Sequence, residues 1–366
     1  MTPSPYKALE ARFARLGTLQ EAAAVLQWDT ATLMPSGGAA ARAEQLATLK
    51  VVCHETLTDP ALADLLAGAQ AQNDLDGWQR ANLAEMRRRW VHATAVPADL
   101  VAALSKASSA CEMRWREARP KNDFAGVLPE LRRVLDLVRD VAAAKAAPLG
   151  KTPYEALLDE YEPGGSTAAV DRLFDEVAGV LPGLIDAALE RQRAQPAPLP
   201  LPGPFPVAAQ RAVALKLMER LGFDFAHGRL DASLHPFCGG TPDDVRLTTR
   251  YEEDNFARAL MGVLHETGHA LYERGLPPAW RRQPVGDARG MSIHESQSLL
   301  VEMQACRSRE FAEFSAPLLR DAFGGRGPAW TAENLYRLNT RVERSLIRVD
   351  ADEVTYPAHV ILRYRL

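Results

Sequence analysis

Two histidines four residues apart are the most chemically specific feature of the sequence. His265 and His269 enclose Glu266 in the pattern H-E-x-x-H. On an α-helix, four residues span about 400° of turn and about 6 Å of rise, so both imidazoles project from one face and can bind one metal ion. Glu266 can then reach a water held at an open metal position and act as a general base. The pattern is typical of zinc peptidases.

The residues around this motif predict the helix that the chemistry requires. Asp254 or Asn255 can cap its start, and Gly275, followed by Pro277 and Pro278, ends it. The alternative is a buried helix whose histidines hydrogen-bond to neighbouring groups, and a third metal ligand would weigh against it. Apolar residues recur at helical spacing on both sides of the motif, at Phe256, Leu260, Met261, Leu264 and Leu271.

A third metal ligand is expected downstream of the motif. Glu295 follows His269 by 26 residues, which is enough for a turn and a second helix packed against the first. Its carboxylate would complete a two-histidine, one-glutamate site with a fourth position open to water. His294 is the alternative, but neighbouring residues on a helix point about 100° apart, so only one of the pair should face the metal. We favour Glu295, which leaves His294 to orient a ligand or to meet substrate.

Five motifs follow one another along the chain and carry a family resemblance. They are His235–Phe237 (HPF), Asp244–Thr248 (DVRLT), His265–His269 (HETGH), His294–Gln297 (HESQ) and Ile347–Asp352 (IRVDAD). Together they resemble the signatures of the carboxypeptidase Taq family of zinc metallocarboxypeptidases. Trp28–Pro35 and Tyr154–Gly164 also resemble that family, so the resemblance extends over almost the whole chain.

The resemblance implies a mostly helical, groove-shaped, gluzincin-like metallopeptidase that removes C-terminal residues from peptides with a free C-terminus. It implies that Glu266 activates water and that zinc is bound by three residues, His265, His269 and Glu295. Imidazole and carboxylate ligands also accept Co²⁺ or Mn²⁺, so either ion could substitute for Zn²⁺. A homodimer is expected from the resemblance alone.

Substrate-binding residues are also implied by the resemblance. Arg348, with Arg246 as second choice, would receive the terminal carboxylate of the substrate. A guanidinium suits this role because it pairs with a carboxylate through two charge-assisted hydrogen bonds. His235 is expected to line the groove, with an ordinary capping or core histidine as the alternative, and His294 is a further substrate-binding candidate.

One family signature is not found in the sequence. The pattern G-x-x-Q-D-x-H-W does not occur before the last residue, Leu366. We therefore expect zinc binding to survive and catalysis to be weakened. The alternative function is a truncated homologue that binds zinc and serves as a peptide-binding or interaction module with little activity. A third possibility is an endopeptidase with an open cleft, which would need no arginine for a terminal carboxylate.

Length and composition independently indicate a helical globular protein. The chain has 366 residues, of which 47% are hydrophobic and 25% charged, and this is ample for a large core. The stretch Asp244–Arg250 is the clearest strand candidate and predicts a small β-sheet beside the active-site helix. Apolar residues at helical spacing predict a mostly α fold, most clearly in Leu9–Leu26, Ala39–Val52, Leu62–Ala93 and Phe124–Ala147.

The proline-rich stretch Pro196–Pro206 cannot be helical and predicts a boundary. We expect an N-terminal helical subdomain, residues 1–195, that forms a groove wall, and a metal-binding catalytic subdomain, residues 207–366. The net charge of −4 gives no sign of a nucleic-acid partner. No apolar leader and no run of about 18 apolar residues is present, which predicts a cytoplasmic protein without a membrane partner.

Overall fold

The computed structural model describes residues 3–233, 236–348 and 351–366, and helices dominate it. The prediction of a mostly α fold is confirmed. The helices are α1 Pro5–Thr32, α2 Ala39–Thr58, α3 Pro60–Gln70, α4 Gly77–Thr94, α5 Ala98–Ala118, α6 Phe124–Leu149, α7 Pro153–Tyr161, α8 Thr167–Arg193, α9 Val207–Arg220, α10 Phe256–Gly275, α11 Met291–Leu299, α12 Arg309–Phe323, α13 Ala332–Asn339 and α14 Tyr356–Arg365. None of the described helices combines the length and the apolar character needed to cross a membrane.

A small sheet accompanies α10, as predicted. Its strands are β1 Gly228–Ala232, β2 Phe237–Thr241 and β3 Asp244–Thr249. The central strand β3 runs parallel to β1 and antiparallel to β2, and both β2 and β3 pack against α10. The strand predicted over Asp244–Arg250 is therefore confirmed to within one residue.

The boundaries of α10 follow the capping signals in its sequence. The Asn255 side chain accepts a hydrogen bond from the backbone N–H of Arg258, and the helix ends at Gly275. The predicted helical stretch Leu62–Ala93 is interrupted, however, because α4 starts anew at a capping box. There the Asp76 side chain accepts from the backbone N–H of Gln79, and the Gln79 side chain accepts from that of Asp76.

The described chain divides into two compact units, and each is discontinuous in sequence. One consists of Met1–Ala23, Glu44–Ser166 and Pro277–Gly290, and the other of Ala24–Ala43, Thr167–Leu276 and Met291–Leu366. We call them unit 1 and unit 2. The stretch 196–206 is non-helical and lies inside unit 2. The division of the chain into a groove wall and a catalytic subdomain stays a prediction.

Unit 1 combines an apolar core with a buried amide. The Asn82 side chain donates to the Tyr6 hydroxyl at 3.1 Å and to the Gln283 side-chain oxygen at 3.0 Å. Its oxygen accepts from the backbone N–H of Val285 at 3.2 Å, so one amide ties α1, α4 and the segment 277–290 together. The core side chains around it include Leu9, Phe13, Leu16, Leu62, Leu66 and Met86.

Unit 2 is built around α10. The start of this helix lies in an aromatic cluster in which the Phe256 ring is 4.9 Å from Phe205 and 4.7 Å from Phe323, centroid to centroid. Further along, Val263 and Leu264 are fully buried. A helix packed on nearly all sides has little freedom to rotate, so the direction of each of its polar side chains is fixed.

Candidate metal centre

A close contact between α10 and α11 shapes the site. A Cβ added at Gly268 would lie 2.6 Å from both the Cα of Ser298 and the carbonyl oxygen of Gln297. Only glycine allows the two helices to approach this closely. The glycine inside the H-E-x-x-H motif therefore brings α11, and Glu295 with it, against the two histidines.

The three residues predicted as metal ligands converge. The Nε2 atom of His269 lies 3.4 Å from Oε2 of Glu295, and Nε2 of His265 lies 3.8 Å from the same oxygen. One ligand atom from each residue falls within 4.8 Å of the others, and no other such group of three occurs among the described residues. Two imidazoles and one carboxylate are the donor set of a catalytic zinc site that keeps one position open.

The surroundings of His265 fit a bound metal ion. Its Nδ1 atom lies 3.0 Å from Oε2 of Glu302, which turns Nε2 toward Glu295. Burial by itself lowers the pKa of His265, but the hydrogen bond to Glu302 and the nearby charges of Glu266 and Glu295 outweigh it, so this pKa is raised. A position that favours positive charge on an imidazole also favours a cation beside it.

Glu266 is buried and held by the sheet. The residue is only 8% exposed, and burial raises the pKa of its carboxyl group, while His265 and His269 act in the opposite direction. The backbone N–H of Cys238, in the edge strand β2, donates a hydrogen bond to this carboxylate. The proposed base is therefore oriented by a second element in addition to its own helix.

His294, the alternative ligand, lies beside the cluster but outside it. Its Nε2 atom is 2.8 Å from Oε1 of Glu273, and its ring stacks on the ring of His269 with 4.4 Å between centroids. Glu295 and His294 thus point to different partners, as the geometry of neighbouring helical residues requires.

A cleft of about 980 Å³ contains the metal cluster and Arg348. The Nη1 of Arg348 donates to the Tyr356 hydroxyl at 3.1 Å, and its buried Nε has no hydrogen-bond partner in the part of the chain that the structure describes. Arg246 differs, because its guanidinium makes three hydrogen bonds with Asp244 and lies over the ring of Trp28, 4.7 Å from the centroid. Arg246 is not among the residues that line this cleft.

Two sequence motifs fall partly outside the described residues. In the HPF motif, His235 lies outside the described residues, so its proposed place in the groove stays a prediction. In the IRVDAD motif, residues 349 and 350 lie outside them. The adjoining residues Pro236 and Ala351 both line the cleft.

Comparison with known proteins identifies the family of this chain. The family model of the carboxypeptidase Taq (M32) metallopeptidases matches residues 8–366. The chain belongs to the M32 family. Its members are metallopeptidases, so the family implies a bound metal ion and hydrolase chemistry, and the predicted metallocarboxypeptidase family is confirmed.

Relatives within the M32 family match nearly all of this chain. Thermostable carboxypeptidase 1 of Thermus thermophilus is 40% identical over 355 residues, which cover 94% of this chain and 69% of the relative. The structure of metallocarboxypeptidase 1 of Trypanosoma cruzi is similar with a TM-score of 0.94 and 43% identity, over 99% of this chain and 72% of that one. The structure of the M32 carboxypeptidase of Deinococcus radiodurans is similar with a TM-score of 0.91 and 35% identity. The match covers 99% of this chain and 72% of that one.

Two partners of the site were not predicted from the sequence. Glu302 lies seven residues after Glu295, 20° short of two full helical turns, and this spacing could have placed both carboxylates on one face. The backbone N–H of Cys238 has no side-chain signature. The packing of β2 against α10 was needed to find it.

Proposed function

We propose that this M32 protein is a zinc-dependent metallocarboxypeptidase that removes C-terminal residues from peptides. His265, His269 and Glu295 would hold the ion, and Glu266 would be the general base. The observation that supports the proposal best is the convergence of two Nε2 atoms and one carboxylate beside a buried glutamate, in a cleft that also contains an incompletely paired arginine.

The chemistry divides between the ion and the side chains of the chain. When bound, a zinc ion supplies a Lewis acid that makes water more acidic and polarises a carbonyl oxygen. Glu266 receives the proton of the attacking water on its carboxylate and can return it to the amine of the leaving residue. Burial favours the protonated form of this carboxyl group, which suits a residue that must hold a proton between two steps.

Recognition of the terminal carboxylate is assigned to Arg348, with Arg246 as the second candidate. Among the described residues, the Arg348 side chain makes one hydrogen bond, from Nη1 to the Tyr356 hydroxyl, so this guanidinium retains donor capacity where it lines the cleft. The donors of Arg246 are directed at Asp244. Zn²⁺ as the native ion, with Co²⁺ or Mn²⁺ as substitutes, a homodimeric assembly and a cytoplasmic location are further parts of the proposal.

The central experiment separates the base from the metal ligands. Glu266→Gln should keep the metal and lose turnover of a blocked dipeptide, whereas His265→Ala, His269→Ala and Glu295→Ala should each lose the metal. Elemental analysis of the purified variants and hydrolysis assays with added Zn²⁺ measure the two properties. Full metal occupancy in Glu295→Ala would show that the third ligand was chosen wrongly, and a comparable loss in His294→Ala would point to its neighbour.

A further inference from the structure

A chain of charged contacts leads away from the metal cluster on the side of His265. Oε2 of Glu302 is 3.0 Å from Nδ1 of His265, and Oε1 of Glu302 accepts from Nη2 of Arg307 at 2.5 Å. Nη1 of Arg307 then donates to the carbonyl oxygen of Asn339 at 3.1 Å, at the C-terminal end of α13. Each oxygen of the Glu302 carboxylate therefore has its own donor.

Glu302 is buried, and its backbone is irregular. The residue is 9% exposed, and it lies in a π-helical segment, Leu300–Ala305, that continues α11. The backbone N–H of Cys306 bonds to the carbonyl of Val301, five residues back, where an α-helix would use the residue four back. Single π-helical turns are rare and occur frequently at functional sites. A buried carboxylate and an unusual turn both cost stability, and this segment carries both.

The two histidines are supported differently. The Nδ1 atom of His269 is buried without a hydrogen-bond partner among the described residues, whereas that of His265 faces a carboxylate. A carboxylate only accepts hydrogen bonds, so it fixes the proton of a neutral imidazole on Nδ1 and leaves the lone pair on Nε2. In His265, that Nε2 is the atom that faces Glu295.

From these contacts we propose that Glu302 is a positioning residue that holds His265 in the tautomer and orientation needed for metal binding, and that Arg307 in turn holds Glu302. The inference rests on the proposed role of His265 as a ligand. It assigns a function to the π-helical segment, which sets the Glu302 carboxylate between the histidine and the arginine. Partners of this kind typically change metal affinity by 10- to 100-fold when they are removed.

The sharpest test is Glu302→Gln in the full chain. Glutamine has the same shape but only one acceptor oxygen, so its amide group must face either Arg307 or His265. When the amide faces His265, it favours the tautomer with the proton on Nε2, which blocks metal binding. We expect the dissociation constant for Zn²⁺, measured by competition with a chromogenic chelator, to rise about 10- to 100-fold.

Two further variants make this result specific. Glu273→Gln is the matched control, because Glu273 pairs with His294 and not with a proposed ligand. The Zn²⁺ affinity of this variant should stay within about twofold of that of the unchanged protein. Arg307→Met leaves the contact between Glu302 and His265 in place but frees the carboxylate from its outer partner, so we expect a smaller, several-fold loss. Arg307→Met also tests the proposal if Glu302→Gln does not fold.

The readouts distinguish positioning from a general loss of stability. The Nδ1–H proton of His265 should give an imidazole NMR signal in the Zn²⁺-loaded protein that moves in Glu302→Gln, while metal-free Glu302→Gln melts close to the metal-free unchanged protein. Unchanged Zn²⁺ affinity in Glu302→Gln, or an equal loss in Glu273→Gln, would overturn the inference. Failure of the unchanged protein to bind Zn²⁺ would instead refute the proposed function on which it rests.

Discussion

At the scale of single residues, the two arginines considered for the substrate carboxylate have different environments. The guanidinium of Arg246 donates three hydrogen bonds to Asp244 and lies over the ring of Trp28. Arg348 has the Tyr356 hydroxyl as its hydrogen-bond partner and, among the residues described, no carboxylate at ion-pair distance. The Nε of half-buried Arg348 is buried without a partner among these residues, and an unpaired buried donor costs stability unless something binds to it. Arg348 is therefore the stronger candidate for the substrate carboxylate.

Replacing Arg348 should affect substrates with a free C-terminus and hardly affect amidated ones. Loss of a hydrogen bond to a charged group costs about 1.5–3 kcal/mol, so kcat/KM of Arg348→Ala on a free peptide should fall about 10- to 100-fold. The comparison uses one peptide sequence with and without C-terminal amidation, and Arg246→Ala is the control. Equal rates on both peptides for the unchanged enzyme would contradict the carboxypeptidase mechanism, and a selective loss in Arg246→Ala would move the anchor to that residue.

Local spacing explains which of these residues the sequence could reveal. His265 and His269 are four positions apart on one helix, so their shared face follows from helix geometry alone. Glu295 could be inferred because the motif calls for a third ligand. The spacing of Glu302 from Glu295 could indicate a shared face. The contacts of Glu302 with His265 and Arg307, however, depend on a π-helical turn and on the approach of α11 to α10, and neither feature is visible in the order of the residues.

At the scale of secondary-structure elements, the contact at Gly268 determines how α10 and α11 present their ligands. Both residues that a Cβ would strike, Gln297 and Ser298, contribute backbone atoms to the contact, so neither can move aside as a flexible side chain could. The spacing of the two helices is therefore set by the absence of a side chain at one position.

Gly268→Ala should push α11 away from α10 and carry Glu295 with it. We expect overpacking to cost about 1–3 kcal/mol of stability and Zn²⁺ affinity to fall in parallel. Gly262→Ala is the matched control on the same helix, since its Cβ would meet only Pro236 at an ordinary 3.9 Å. Because alanine favours a helix by about 0.5–1 kcal/mol over glycine, that variant should be no less stable than the unchanged protein. Chemical denaturation and chelator competition measure both effects, and normal Zn²⁺ affinity in Gly268→Ala would contradict the argument.

Elements with strong local signals were the predictable ones. The capping residues and apolar repeat of α10 and the alternating pattern of β3 gave both elements nearly at their observed bounds. The strand β2 was not predicted, because Phe237–Thr241 contains two glycines and no β-branched residue before Thr241. It forms by pairing with β3, and this pairing also supplies the backbone N–H that holds Glu266.

At the scale of the whole molecule, the proposed ligands all belong to unit 2, although the segment Pro277–Gly290, between His269 and Glu295, belongs to unit 1. Metal binding should therefore stabilise unit 2 directly. An ion that binds only the folded state at 100 times its dissociation constant adds about 2.7 kcal/mol. The stabilisation should be visible in thermal unfolding as a shift of the transition that belongs to unit 2.

Removal of the metal by a chelator should lower the melting temperature of the protein by several degrees, and readdition of Zn²⁺ should restore it. Differential scanning calorimetry measures the shift, and His269→Ala provides the control, since its melting temperature should not respond to the chelator. A melting temperature that is the same with and without metal in the unchanged protein would show that the ion does not contribute to the folded state.

The discontinuous path of the chain also limits how the protein can be dissected. The chain leaves unit 2 after Leu276, contributes Pro277–Gly290 to unit 1, and returns at Met291. A single protease cut therefore cannot release either unit as one intact piece. A nick inside 277–290 would leave His265 and His269 on one fragment and Glu295 on the other. The metal centre could then be rebuilt only by fragment complementation, with the two pieces folding around each other.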